Sequence, residues 1–355
     1  MPSNPNSPVV VQGQGTEPER ILDLAYAFWR SKVLFAAVEL DVFTTLTAGP
    51  LALLILARRT GVHPRGARDF FDSLVALGLL QRNAAGYYVN APEADLYLVR
   101  NRPAYLGGLL QHLNTRHYRN WDRLPRALAT GEPQSGLGTE TYGGFYANDG
   151  SKNIFLTGMT AGSLLAARAL AQTFPWHRYR TFLDIGTAQG GAAVEIARAQ
   201  PHLSGGGFDL PQVEPAFMQY VRDNQLADRL QFHAGDFFTD PLPRADVMVM
   251  GRILHNWNGA ARSNLLAKAY QGLPWDGALI VYDPLIDDDR KKAHGLLSSL
   301  NMLIETASGS EYTVSDCKSW MSQTGFRDIR DLRLDGVHTA VFGFKKKGSP
   351  PSQTD

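Results

Sequence analysis

A single cysteine, Cys317, stands among 355 residues, which excludes an internal disulfide and fits a reducing cytosol. An excess of one charge is also missing. The 35 basic side chains oppose 34 acidic ones, so no global field favours nucleic acid or an anionic membrane. No window reaches the ~18 uncharged apolar residues of a membrane span; the best stretch, VLFAAVELDVF, is broken by Glu39 and Asp41. The opening MPSNPNSPVVVQGQG has no basic segment leading an apolar one and reads as a tail, not a secretory signal. Internal repeats are absent, and only the two ends are low in complexity. There is no H-E-x-x-H, no cysteine pair and no His-Asp motif. His112 and His117, five apart, do not share a face of a regular helix, so no metal is expected. What remains is a cytoplasmic globular protein with room for two domains.

From Pro18 to about Leu98 the pattern is helical. ILDLAYAFWRSKVLFAAVEL is apolar almost all round, which predicts burial on several sides. PLALLILARRTG and RGARDFFDSLVALGLL are short and amphipathic, and QRNAAGYYVNAP reads as a two-stranded wing, completing a winged-helix pattern. Residues 106–175 continue as helices. From Tyr179 short apolar strands (TFLDIG, LSGGGFDL, LQFHAGD, ADVMVM, ALIVYD) alternate with helical stretches, the signature of a parallel α/β sheet. RDIRDLRLD and TAVFGFKKK end the chain as an antiparallel hairpin. The expected plan is a tail (1–17), a winged-helix domain (18–105), a helical linker contributing to a pocket (106–175), a Rossmann-like α/β domain with a seven-stranded, mostly parallel sheet (176–346), and a second tail (347–355).

The stretch FLDIGTAQGG, residues 182–191, is a strand handing over to a helix around a small molecule. In a dinucleotide fingerprint the second glycine admits the pyrophosphate; registered on Gly186, that position is Ala188. Asp184 at the strand end repels a phosphate and attracts a cation. The ligand is therefore nucleoside-like and positively charged, which fits S-adenosylmethionine. Asp209 ends the second strand, where an acid accepts ribose hydroxyls. Asp236 and Phe237 end the third, where a carboxylate takes the adenine amino group and an aromatic ring covers the base.

The order LDIGTAQGG, GFDLPQV, HAGDFF, ILHNW and an acid after the fifth strand resembles the plant and bacterial small-molecule O-methyltransferases. These include caffeate, acetylserotonin and polyketide-tailoring enzymes of secondary metabolism and antibiotic biosynthesis. The resemblance covers about residues 18–346. It implies S-adenosylmethionine as cofactor, S-adenosylhomocysteine as its product, and a homodimer whose N-terminal half also closes the partner subunit's substrate pocket. The same resemblance assigns Ser163, Gly190, Leu210 and Arg252 to the cofactor alongside Asp184, Gly186, Asp209, Asp236 and Phe237.

His255 follows the fourth strand at the carboxyl edge of the sheet, where a neutral imidazole accepts a proton near neutral pH. A phenol, with a pKa near ~10, is a poor nucleophile until that proton moves. By resemblance Asp283 and Glu311 hold the histidine, and Phe155, Met159, Asn301 and Met302 line the wall for a small aromatic or polyketide-like acceptor with a phenolic or enolic hydroxyl. Tyr118, Trp121, Phe145 and Tyr146 are further aromatic surface without an assigned place. Asn256 stands where the family usually has aspartate, and Gly251 where some plant members have lysine.

Three rival readings stay open. A winged-helix DNA regulator needs a basic surface, yet Arg65 and Arg68 are offset by Asp69 and Asp72. A relative that keeps the cofactor but abandons methyl transfer has less need of His255. C-methylation of an α-keto acid through a metal needs a His-Asp ligand pair, and Asn256 is a poor substitute for an anionic oxygen ligand.

Overall fold

The computed structural model describes residues 18–135 and 149–347. Phe145 and Tyr146 lie outside them, as do residues 1–17 and 348–355. The chain divides into two compact units between Asp95 and Leu96.

The first unit runs α1 (Glu19–Glu39), α2 (Val42–Thr45), α3 (Leu53–Thr60), α4 (Pro64–Ala76), β1 (Leu80–Arg82) and β2 (Tyr88–Asn90), and ends within α5 (Pro92–Tyr97). Its start signals are local. Pro64 opens α4, and His63 caps it by accepting from the Arg65 N–H at 3.2 Å. The wing is an antiparallel pair, Leu80↔Asn90 to Arg82↔Tyr88. Asp72 accepts from the Tyr88 hydroxyl at 2.6 Å and from Arg82, so this acid of α4 locks the wing. Phe43, Leu56, Phe71, Leu74 and Leu80 form the core.

Helix α1 is apolar on more faces than its own unit covers. Only Phe35, Ala37 and Val38 are buried, while Ile21 and Leu24 are 71% and 72% exposed and Trp29 56%. Leu54 and Ile55 on α3 are exposed as well. Covering Ile21, Leu22, Leu24, Phe28 and Trp29 is worth on the order of 10 kcal/mol at ~1.5–3 kcal/mol per side chain. A single copy of the described chain leaves that stabilisation unused.

The second unit begins with α6 (Gly107–His112), a π-helical turn (Leu113–His117), α7 (Tyr118–Asn120), α8 (Leu124–Thr130) and α9 (Asp149–Thr173). The α/β part follows as β3 (Thr181–Ile185), α10 (Gly191–Ala199), β4 (Ser204–Asp209), α11 (Glu214–Asp223), β5 (Leu230–Ala234), β6 (Val247–Gly251), α12 (Gly259–Gly272) and β7 (Ala278–Asp283). It ends in α13 (Ala293–Glu305), α14 (Val314–Thr324), β8 (Arg327–Arg333) and β9 (Thr339–Phe344). The seven strands take the order β5-β4-β3-β6-β7-β9-β8. The first five are parallel, and β9 enters antiparallel between β7 and β8.

Period-two alternation splits the core between the sheet faces. Phe182, Val249 and Ile280 join Leu170, Ile196 and Phe217 on one face, while Leu183, Met250 and Val281 join Leu265, Met321 and Phe326 on the other. All six residues of β7 are buried, which is why ALIVYD reads as an unbroken apolar run. The strand order reverses between β3 and β6, so a crevice opens outside their carboxyl ends. Asp184, Asp209 and Asp283 end their strands there, and Asp236 and His255 follow β5 and β6 at the same edge.

Helix α9 carries the longest apolar stretch, not VLFAAVELDVF. Its Lys152–Thr173 span is long and apolar enough to cross a membrane by length and composition alone. Leu156, Leu164 and Leu170 are buried in the protein, and Arg168 pairs with Glu195 of α10 at 3.0 Å. Those are the contacts of a core helix.

Candidate active site

A cavity of about 550 Å³ opens at the carboxyl edge of β3–β7, within the range of small-molecule sites. Its β3–β4 side is shaped by the glycine loop. Gly186 has φ +71°, and a Cβ there would lie 2.2 Å from Ile253 Cδ1, so both the turn and the close approach require glycine. Gly190 is the N-cap of α10 with φ +87°. It packs on Phe217 and is not among the cavity-lining residues, whereas Gly191 is. Ala188 adopts φ +51°, a left-handed conformation that L-residues seldom take. That turn aims its N–H at Asp209 Oδ2 (2.9 Å), while Leu210 N–H donates to Oδ1 (2.8 Å). Each carboxylate oxygen keeps capacity to accept again. Burial pushes the Asp209 pKa up to about 6, against the opposing effect of those two N–H donors.

Asp184 is buried and accepts from Thr187 Oγ1 at 2.7 Å. Burial raises its pKa to about 7, and a cation beside it favours the charged form. Asp236 accepts from the Phe238 N–H at 2.8 Å, and both Asp236 and Phe237 line the cavity. Arg252 also lines it, with a buried Nε that finds no hydrogen-bond partner. Gly162 makes room for it, since a Cβ at 162 would lie 2.9 Å from Arg252 Nη1.

Tyr282 is a cavity residue that the pattern reading overlooks. It pairs with Gly251 across β6 and β7, and a Cβ at 251 would fall 2.1 Å from Tyr282 Cζ. The tyrosine ring therefore fills the space a lysine at 251 needs. Ser163 lines the cavity as well, and burial with the nearby Asp184 charge holds the Tyr282 pKa well above the ordinary value. A glycine opposite a tyrosine on neighbouring apolar strands is the signal that marks it.

His255 lies in a short 3-10 turn after β6. It is buried yet lines the cavity. Nδ1 is 2.8 Å from Glu311 Oε1, which also accepts from Ser298 Oγ at 2.7 Å. A carboxylate only accepts, so the network puts the neutral ring's proton on Nδ1 and leaves Nε2 as the open acceptor. Asp283 Oδ1 is farther off, at 3.7 Å, while Oδ2 takes the Tyr312 hydroxyl at 2.5 Å. The shorter aspartate thus acts on the ring through its charge. Burial by itself lowers the His255 pKa, but the Glu311 and Asp283 carboxylates outweigh it and the net shift is upward. Burial raises Asp283 to about 6.

His255, Asp283 and Glu311 each offer a ligand atom within 4.8 Å of the others, a set able to hold a metal ion. The His255–Glu311 spacing is shorter than two ligands of one ion keep. Two donors ~2.0–2.2 Å from one tetrahedral ion stand ~3.3 Å apart, whereas Nδ1 and Oε1 at 2.8 Å fit a shared proton. Asn256 donates to the Arg252 and Ile253 carbonyls at 2.9 and 3.1 Å, closing the turn that presents His255. Arg262, also absent from the sequence reading, fastens that turn. Its guanidinium donates to Leu254 O (2.9 Å) and Ser310 O (2.5 Å) beneath the Tyr312 and Trp320 rings.

The opposite wall comes from α9, α13 and the π-turn. Phe155, Met159, Asn301 and Met302 all line the cavity. Trp121 donates from Nε1 to Asn301 Oδ1 at 3.0 Å; Tyr118 is not among the lining residues. Glu305 receives Arg116 (Nε, 2.8 Å) and Asn120 (2.8 Å), so α13 grips the π-turn segment. His112 and His117 both line the cavity, their ring centroids 4.9 Å apart. A π-turn has a wider repeat than an α-helix, so residues five apart do share a face, and the regular-helix expectation fails here.

The O-methyltransferase domain family matches residues 121–327, and the O-methyltransferase dimerisation domain family matches residues 22–100. The chain is 44% identical over 331 residues to the tetracenomycin polyketide synthesis 8-O-methyl transferase TcmO of Streptomyces glaucescens, covering 93% of this chain and 97% of that one. It is 36% identical over 342 residues to the N,N-dimethyltransferase OxyT of Streptomyces rimosus, covering 95% and 97%. A crystal structure of human N-acetylserotonin methyltransferase in complex with SAM superposes with a TM-score of 0.87 at 28% identity, over 95% and 99% of the two chains. The seven-stranded sheet, the helical N-terminal unit and these matches place the chain in the family of S-adenosylmethionine-dependent O-methyltransferases.

Proposed function

We propose that this protein methylates a phenolic or enolic hydroxyl of an aromatic, polyketide-like acceptor, with His255 as general base. The observation that carries the reading is the contact of His255 Nδ1 with Glu311 Oε1 at 2.8 Å, which favours a neutral ring protonated on Nδ1 with Nε2 free as the acceptor. When bound, S-adenosylmethionine supplies an electrophilic methyl on a sulfonium. Asp209 takes the ribose hydroxyls, Asp236 the adenine amino group, and Phe237 covers the base. The unpartnered Arg252 Nε, with Ser163 and Tyr282 beside it in the cavity lining, receives the amino-acid end, a carboxylate being the natural partner of a buried guanidinium. Asp184 offsets positive charge. Phe155, Met159 and Met302 hold the acceptor ring, so positioning and removal of one proton make up most of the catalytic task.

Labelled S-adenosylmethionine offered with phenol, catechol, naphthol and keto-acid panels tests this. Label is expected on phenolic oxygen, at the same rate after exhaustive chelation. Label only on the keto acids, or activity lost to EDTA and restored by zinc or iron, would revive metal-assisted C-methylation at the His255, Asp283 and Glu311 cluster.

The apolar α1 stripe and the dimerisation-domain match support an obligate homodimer through residues 18–105. Sedimentation at micromolar concentration should show the dimer alone. Replacing Leu24 and Trp29 with lysine should give dissociation or aggregation, and a stable folded monomer of the unaltered chain contradicts the assignment.

A further inference from the structure

The acceptor side of the cavity carries two histidines that proton removal at His255 does not use. At ~100° per residue, positions five apart on an α-helix face ~140° away from each other. The π-turn Leu113–His117 brings His112 and His117 to one side instead, edge to face at 71°. Surrounding contacts hold that geometry. A Cβ at Gly158 of α9 would lie 2.9 Å from His112 Cβ, so glycine lets the ring seat against the helix. The Phe155 ring stands 6.0 Å away, and Arg116 and Asn120 tie the turn to Glu305. His112 is only 3% exposed, yet neither ring makes a hydrogen bond among the described residues. Buried polar groups are normally partnered, and here the open side is the cavity.

We propose that the His112–His117 pair binds a second oxygen of the acceptor, a carbonyl or hydroxyl remote from the one presented to His255, and so selects dioxygenated aromatic acceptors over mono-oxygenated ones. The inference rests on reading this cavity as the acceptor site. Burial first, then His117 and Arg116, hold His112 near pKa 3; burial, Arg252 and Arg116 do the same for His117. Both rings therefore stay neutral, each with one N–H donor and one lone pair. That combination suits either a carbonyl or a hydroxyl oxygen and has no call for a second anion.

The test is calorimetry on the full-length protein loaded with S-adenosylhomocysteine. The probes are β-naphthol and naphthalenediols carrying the second hydroxyl on the distal ring. The best diol should bind about 3- to 10-fold more tightly than β-naphthol, the value of one good hydrogen bond. His112→Leu with His117→Leu should erase that preference and leave β-naphthol within about twofold, while His117→Gln alone should keep part of it. Unchanged S-adenosylhomocysteine affinity reports an intact fold. Equal affinity of the unaltered protein for β-naphthol and every diol overturns the inference, as does a diol preference that survives the double leucine variant. Because binding is read without turnover, a protein that prefers the diol but never methylates it would sink the methyl-transfer reading and leave this inference standing.

Discussion

Replacing His255 with alanine should lower turnover of a phenolic acceptor ~10²–10⁴-fold at neutral pH, the usual contribution of a positioned base, while S-adenosylhomocysteine affinity stays unchanged. The carboxylates assigned to the cofactor, Asp184, Asp209 and Asp236, end or follow other strands, and alanine leaves Glu311 held by Ser298. The pH profile carries a sign that is independent of magnitude. His255 accepts a proton only when neutral, and its pKa is raised in the fold. The rising limb of activity therefore lies above the ordinary histidine value of ~6.5. Glu311→Gln removes a carboxylate that raises that pKa, so the limb should move to lower pH while the maximal rate falls. Asp283→Asn should cost less, because its oxygen is 3.7 Å from Nδ1 and its firm partner is Tyr312. A Glu311→Gln limb displaced to higher pH would contradict the electrostatic assignment.

Asp209→Ala should weaken S-adenosylhomocysteine binding by ~10²-fold or more, the loss of two hydrogen bonds to a charged acceptor at ~1.5–3 kcal/mol each. It also leaves the Ala188 and Leu210 N–H groups without their acceptor, so the glycine loop loses its tie to β4. The unaltered protein should show a matching pH effect. With the Asp209 pKa raised to about 6 by burial, affinity should decline as pH falls through that value and the carboxylate is neutralised. NAD should not bind at comparable concentration. Calorimetry with both ligands decides it, and NAD binding the more tightly would overturn the account of the loop.

The strands are legible because β6 and β7 are buried on both faces and appear as apolar runs, and β3 is buried from Phe182 onward. Asp184, Asp209, Asp236 and His255 are legible for a related reason: polar residues terminate those runs at one edge of the sheet. Glycines adjoining them mark where backbone and side chains come close, as Gly186 does for Ile253. The hidden parts depend on contacts between distant segments. Tyr282 looks like one more core residue of β7, and only its register opposite Gly251 shows why it is there. Arg262 reads as a surface residue of α12 until the Ser310 loop folds over it. The apolar faces of α1 are legible as a surface in need of cover, which the dimerisation-domain match supports, while the sequence does not show which residues provide that cover. His112 and His117 are missed because their spacing is judged against 3.6 residues per turn, and no local signal announces a π-turn.

The central claim is that His255 removes the acceptor's proton, and its most direct test varies how much that proton needs removing. The measurement is the ratio of kcat/KM for the unaltered enzyme to that for His255→Ala, at one pH, across phenols of graded acidity. The ratio should be ~10²–10⁴ for phenols with pKa near ~10 and fall toward ~1 for those already ionised at the assay pH. A ratio that stays constant across the series would show that His255 positions the acceptor without taking its proton.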